Sequence, residues 1–127
     1  MSNESKKRII LWIEDDLIIK SILGNKLIAA GYDLTHVNSS EEAMYHLKQA
    51  TPSLIVLDIL LPGMNGFEFL GKIHSDKDLS NIPVIILSNL STEADVKKAN
   101  DFGVKKYLIK TAVTLDDILA EINTYCK

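Results

Sequence analysis

Short apolar runs of strand length alternate along the chain with stretches whose apolar residues recur every three or four positions. Arg8-Ile-Ile-Leu-Trp-Ile13 is apolar on both alternating faces, as a strand covered on both sides must be, and it stops abruptly at Glu14-Asp15-Asp16. From Leu17 to Ala30 the apolar residues Leu17, Ile18, Ile22, Leu23, Leu27 and Ala30 fall at spacings of three and four, which predicts a helix ended by Gly31. Tyr32–Val37 reads as a more polar strand at a sheet edge. Ser39-Ser40-Glu41-Glu42 has the spacing of a capping box and opens a helix through Leu47, which Pro52 keeps from extending. Leu54–Leu57 is a third strand that runs straight into Asp58. Turn signals fill Leu60–Gly66, and Phe67–Ile73 repeats at helical spacing. Val84–Leu87 follows Pro83 as a fourth strand ending in Ser88, and Ser91 or Thr92 caps a helix through Phe102, closed by Gly103. Tyr107–Ile109 is the fifth strand, ending in Lys110, and Thr114-Leu-Asp-Asp117 caps a last helix to about Tyr125.

Five strands alternating with five helices require crossover connections, and therefore a parallel sheet. The predicted fold is α/β, a doubly wound five-stranded parallel sheet in the flavodoxin-like order 2-1-3-4-5 with helices on both faces. An eight-fold barrel needs about twice this chain. At 127 residues the chain is expected to form one domain, 1–127, with its core at about 7–125.

Composition narrows the function classes. The 14 basic and 17 acidic residues leave a net charge of −3, which argues against a broad basic face for direct nucleic-acid binding. After the polar opening Met1–Arg8, the apolar run Ile9–Ile13 is too short to read as a signal or membrane segment. Cys126 is the single cysteine, so no internal disulfide forms, and a reducing cytoplasmic location is expected.

In open α/β sheets, ligands bind outside the carboxyl ends of the strands. Gathered there are Glu14, Asp15 and Asp16 after the first strand, Asp58 after the third, Ser88 after the fourth and Lys110 after the fifth. Taken singly, each has a plain structural explanation; Asp16, for instance, reads first as a helix cap. Jointly they do not. Clustered carboxylates repel unless a cation sits among them, and hard oxygen donors suit Mg²⁺. A carboxylate beside Mg²⁺, with an ammonium and a hydroxyl nearby, suits phosphoryl transfer, and the carboxylate can itself be the nucleophile.

Over essentially its whole length the sequence resembles the receiver domain of two-component response regulators. The resemblance is carried by Glu14-Asp15, by Asp58 within Asp-Ile-Leu-Leu-Pro-Gly-Met-Asn-Gly66, by Ser88, and by Tyr107-Leu-Ile-Lys110. The spacings fit too: 43 residues from Asp15 to Asp58, 30 to Ser88 and 22 more to Lys110. It implies that Asp58 accepts a phosphoryl group from a phosphohistidine on a sensor histidine kinase or histidine phosphotransfer protein. Asp15, Asp58 and the backbone carbonyl of Leu60 would ligate Mg²⁺, with Glu14 acting through water. Ser88 would bond the phosphoryl group, Lys110 would pair with its oxygen, and the Tyr107 ring would turn inward. The surface of helix four, strand five and helix five would then change for a downstream target protein or a phosphorelay partner. The implied state is a monomer or a weak, phosphorylation-dependent dimer with no membrane insertion, and catalysis confined to its own phosphorylation and dephosphorylation.

Two positions depart from the family pattern. Thr111 stands where proline usually follows the lysine, so a trans bond or a strained loop is expected, because a cis bond before a non-proline residue costs about 2.5–4 kcal/mol. Asn89 replaces a small residue, and either narrows access to Asp58 or adds a hydrogen bond. Leu60 and Leu90 can neither orient nor deprotonate water, which predicts a long-lived phosphoryl group. A Mg²⁺-dependent phosphatase with an aspartyl intermediate is the competing enzyme reading, but it expects a second aspartate where Leu60 stands. A phosphorylation-independent receiver-like scaffold is the other; it would ordinarily lose part of the acid, hydroxyl and lysine set, which is intact. Gly-rich nucleotide-binding runs and a flavin-type loop are absent. His36, His46 and His74 have no ligand spacing, Trp12 reads as core, the lysine pairs 97–98 and 105–106 as solvated, and Cys126 as inert though open to oxidation.

Overall fold

A computed structural model describes residues 8–127. The polar opening, apart from Arg8, and the start of the expected core at residue 7 lie outside the described residues. The element order is β1 (Ile9–Ile13), α1 (Leu17–Ala29), β2 (Asp33–Val37), α2 (Ser40–Leu47), β3 (Leu54–Leu57), α3 (Gly66–His74), β4 (Val84–Ser88), α4 (Glu93–Asp101), β5 (Lys106–Ile109) and α5 (Leu115–Tyr125). All strand pairs are parallel, in the order β2-β1-β3-β4-β5. The predicted architecture and strand order are therefore the observed ones.

Period-two alternation divides the apolar residues of the sheet between two slabs. Leu11, Ile13, Ile55, Leu57, Val84 and Ile86 face Ala43, Leu47, Phe69, Leu70, Ile73 and Ala99 of α2, α3 and α4. Ile10, Trp12, Leu54, Val56, Ile85, Leu87 and Leu108 face Leu23, Leu27, Ile118 and Ile122 of α1 and α5. Each fully buried leucine or isoleucine contributes about 1.5–3 kcal/mol relative to exposure, so β1, β3 and β4, covered on both sides, anchor the fold. β2 is more polar and lies at an edge, as its sequence predicts.

α1 buries only part of its apolar pattern. It buries Leu23, Gly24 and Leu27, while Leu17, Ile18, Ile22 and Ile28 are all more than half exposed. Apolar residues occupy too much of its circumference for periodicity to choose an inward face. The neighbouring side chains make the choice: a Cβ on Gly24 would already be in van der Waals contact with Leu34 (3.7 Å) and Trp12 (3.9 Å). Ala30 caps the helix end and is exposed, and Gly31 turns the chain with φ +94°.

Local chemistry sets the other boundaries. The Ser39 hydroxyl accepts the Glu42 N–H, but Glu42 returns to the Asn38 N–H rather than to Ser39, so only half of the expected capping box forms. Thr92 caps α4, and Thr114 with Asp117 forms a complete box on α5. Asn65 with Glu68 makes a second complete box at the start of α3, where the sequence reading placed only a turn. Cys126 is fully buried at the end of α5, so the expected openness to oxidation is corrected, and burial raises its thiol pKa. Among the described residues no helix is long and apolar enough to cross a membrane.

Candidate functional site

Because every strand runs the same way, all five carboxyl ends open on one edge of the sheet. β1 lies between β2 and β3, and the chain reverses its direction of travel across the sheet there. Parallel registry sets Ile13 beside Leu57 and Leu57 beside Ile86, so the residues that follow β1, β3 and β4 enter one crevice. The backbone is tied there as well, with Glu14 N–H donating to the Val37 carbonyl and Asp58 N–H to the Ile13 carbonyl.

Glu14, Asp15 and Asp58 offer carboxylate oxygens that all lie within 4.8 Å of one another. Asp15 is exposed, whereas Glu14 and Asp58 are buried. Asp16 is not in this group: its carboxylate caps α1, accepting the Ile18 N–H at 2.9 Å, a contact worth about 1 kcal/mol. Lys110 Nζ reaches across the sheet to Asp58 Oδ2 at 2.9 Å and to both Glu14 oxygens at 2.9 and 3.0 Å. The other Asp58 oxygen accepts the Leu60 N–H at 3.0 Å, which fixes the rotation of the carboxyl group.

Burial pushes the Glu14 carboxyl up to about 7, against hydrogen bonds from Lys110 and the Asp16 N–H that lower it, with the Asp58 charge raising it further. Burial alone lowers the Lys110 ammonium, but hydrogen bonds and charge from Asp58 and Glu14 raise it overall. Lys110 is thus a firmly protonated cation between two carboxylates. Glu14 Oε1 is buried and makes no hydrogen bond, despite its ion-pair contact with the ammonium. A buried acceptor with spare capacity, grouped with two further hard oxygen donors, fits a small divalent cation.

At Thr111 the trans alternative is the observed one. The described peptide bonds are all trans, and Lys110–Ala112 closes a single 3₁₀ turn that leaves the ammonium on Asp58. Ser88 is fully buried, and its Oγ accepts the Leu90 N–H at 3.3 Å. The half-buried Tyr107 donates its hydroxyl hydrogen to the Leu90 carbonyl. Ser88 and Tyr107 therefore hold opposite ends of one backbone unit. Burial raises the Tyr107 phenol pKa, followed by the Asp95 and Asp58 charges, which keeps it a hydrogen donor. Asn89 is exposed. Leu60 and Leu90 line a hollow of about 400 Å³ with Ile59, Leu61, Asn65 and Phe67.

His36 escaped sequence reasoning because its partner is backbone. Its Nε2 lies 2.7 Å from the Glu14 carbonyl, which can only accept, so that nitrogen carries the proton; the ring packs edge-on against Trp12. Burial lowers its pKa. The only available signal was registry, since His36 pairs with Trp12 across β1 and β2. Trp12 is fully buried, as expected. Three of the four lysines read as solvated also make surface contacts: Lys97 pairs with Asp101, Lys98 lies over the Phe67 ring and Lys106 faces Glu121.

The arrangement resembles known proteins along most of its length. The chain is 34% identical over 101 residues to the transcriptional regulatory protein AfsQ1 of Streptomyces coelicolor, covering 80% of this chain and 44% of that protein. It spans less than half the length of the curated relatives it matches. Among solved structures, a phosphorylated cyanobacterial phytochrome response regulator, RcpA, is 29% identical with a TM-score of 0.81, over 94% of this chain and 91% of that one. The manganese-bound form of response regulator Rcp1 is 28% identical, again with a TM-score of 0.81, over 93% of each chain. The model of the response regulator receiver domain family matches residues 10–123, and the chain belongs to that family of two-component signalling proteins.

Proposed function

We propose that the chain is a phosphorylatable switch in which Asp58 takes a phosphoryl group from a phosphohistidine on a partner kinase or phosphotransfer protein. The observation that carries this reading is the setting of Asp58: buried, its two oxygens held by the Leu60 N–H and the Lys110 ammonium, and beside two further carboxylates. In the transfer, an Asp58 oxygen attacks phosphorus, the bond from phosphorus to the imidazole nitrogen breaks, and the histidine keeps that bond's electron pair. The phosphohistidine ring enters the step protonated on its other nitrogen, so an aspartyl phosphate and a neutral histidine result. Asp15, Asp58 and the Leu60 carbonyl would hold Mg²⁺, with Glu14 acting through water. When bound, Mg²⁺ supplies neutralisation of phosphoryl-oxygen charge. Lys110 supplies a second positive charge at those oxygens and fixes the attacking carboxylate.

Ser88 then exchanges its bond with the Leu90 N–H for one with the phosphoryl group, and that loop moves with it. Tyr107 follows, because its hydroxyl is bonded to the Leu90 carbonyl. The readout is a population shift of the surface made by α4, β5 and α5, to which a downstream target binds. α4 suits such movement: Ala99 is its only buried residue. Leu60 and Leu90 present no group that activates water, so the acyl phosphate is long-lived. A phosphorylated and a metal-bound relative of nearly 30% identity support both parts of the reading.

Incubation with acetyl phosphate and Mg²⁺, followed by intact mass, tests it. One phosphoryl adduct is expected on the native chain and none on Asp58→Asn. An unmodified native chain, with a cognate kinase as well as with acetyl phosphate, would overturn the reading.

A further inference from the structure

We propose that Glu41, on α2, is a positioning residue for the phosphoacceptor site, acting through the loop that joins β3 to α3. This inference rests on the switch reading, because it concerns the segment that carries Asp58 and the Leu60 carbonyl.

That segment is folded back on itself. Gly66 and Leu61 N–H groups both donate to the Ile59 carbonyl, at 3.0 Å each. The start of α3 also presses directly on the acceptor's own backbone: a Cβ at Gly66 would stand 2.6 Å from Ile59 Cα and 2.8 Å from the Asp58 carbonyl oxygen. No slack separates residue 66 from residue 58, so a shift at the tip of the loop reaches the site. The inner side of the loop is held by these contacts and by the Asn65–Glu68 capping box.

Its outer side is held from another element. Glu41 Oε2 accepts the Met64 N–H at 3.0 Å, 23 residues away in sequence. The same carboxylate lies against Gly63, whose φ is +71° and where a Cβ would stand 2.8 Å from Oε2. Glycine suits position 63 for its left-handed backbone conformation, and the Glu41 carboxylate uses the space that the missing side chain leaves. α2 does not use Glu41 for its own start, since Ser39 and Glu42 satisfy the N–H groups of Glu42 and Asn38. An exposed glutamate in the first turn of a helix thus turns outward to tie down the loop behind the phosphoacceptor.

Three forms of the 127-residue chain test this: native, Glu41→Ala and Glu41→Gln. Glutamine keeps an oxygen that can accept the Met64 N–H and discards the charge. Amide exchange should show Met64 deprotected in the alanine variant and close to native in the glutamine variant. Calorimetric Mg²⁺ titration should show roughly tenfold weaker binding for alanine, the size of effect seen when a partner behind a metal ligand is lost, and near-native binding for glutamine. Adduct formation from acetyl phosphate should slow in the alanine variant mainly at low Mg²⁺, with the rate recovered at saturation, and melting temperatures should barely move. Native-like Mg²⁺ binding by the alanine variant, or a glutamine variant as weak as alanine, overturns the role of Glu41 and leaves the switch reading intact. Failure of the native chain to bind Mg²⁺ or to take a phosphoryl group overturns both.

Discussion

Ile86 and Ser88 sit two residues apart on β4, both fully buried, and the strand serves opposite ends at the two positions. In the strand middles, each side chain meets apolar neighbours in one of two slabs, and burial is favourable throughout. At the carboxyl ends, the same backbone geometry forces Glu14 and Asp58 together in a buried pocket with Lys110 between them. Burying those charges costs free energy, and the same burial raises the Glu14 carboxyl pKa. Within a few ångströms, then, the molecule passes from side chains whose burial stabilises the fold to charged side chains whose burial opposes it. The lesson is that substitutions in the two regions should separate cleanly by what they lose.

Asp58→Asn should give the largest effect. Phosphoryl adduct formation falls to background, while the far-ultraviolet circular dichroism spectrum and melting transition remain those of a folded protein. In the strand-middle region, Phe69→Ala removes a fully buried ring between α3 and the sheet and should cost about 3–5 kcal/mol by denaturant titration. Acetyl phosphate should still modify the fraction that remains folded. A core variant that lost phosphorylation at full folding would break the separation.

Glu14→Gln should change stability and chemistry in opposite directions. In metal-free buffer, the native chain keeps a proton on Glu14 between its ordinary carboxyl value and about 7, while the unfolded chain has released it. Stability therefore falls as pH rises through that window and levels off above it. Glu14→Gln should flatten this slope and raise metal-free stability at pH 8 by roughly 1–3 kcal/mol, read from denaturant midpoints in chelator. Mg²⁺ affinity should fall at the same time. In the native chain that affinity should climb with pH up to about 7 as the proton leaves.

The smallest effect on stability belongs to the outer face of α1. Ile18→Ser and Ile22→Ser replace side chains that are 75% and 51% exposed, so each should alter stability by no more than about 0.5 kcal/mol in either direction. A loss comparable to that of Phe69→Ala would show that this face is covered in solution.

The same division explains what the sequence disclosed. Strand middles announce themselves by runs such as Leu54–Leu57, and parallel order follows from their alternation with helices. Glu14, Asp15, Asp58, Ser88 and Lys110 were legible because each lies at or just beyond the carboxyl end of a strand, and topology alone brings strand ends together. What stayed hidden depends on rotation and reach. The inward face of α1 was unreadable because its apolar residues nearly encircle the helix, and Trp12 and Leu34 decide it. That Lys110 would bridge both Glu14 and Asp58 depends on side-chain length and on the turn after β5. His36 and Glu41 bind backbone atoms far off in sequence, a contact that no residue pattern encodes.

The most direct measurement is chemical mapping of the acceptor. After incubation with acetyl phosphate and Mg²⁺, borohydride reduces an aspartyl phosphate to homoserine, which peptide mass spectrometry locates. The account predicts homoserine at position 58 and at no other aspartate, with formation suppressed by chelator. Homoserine at Asp15 or Asp16, or a phosphoryl adduct that survives on a histidine with none at Asp58, would contradict it.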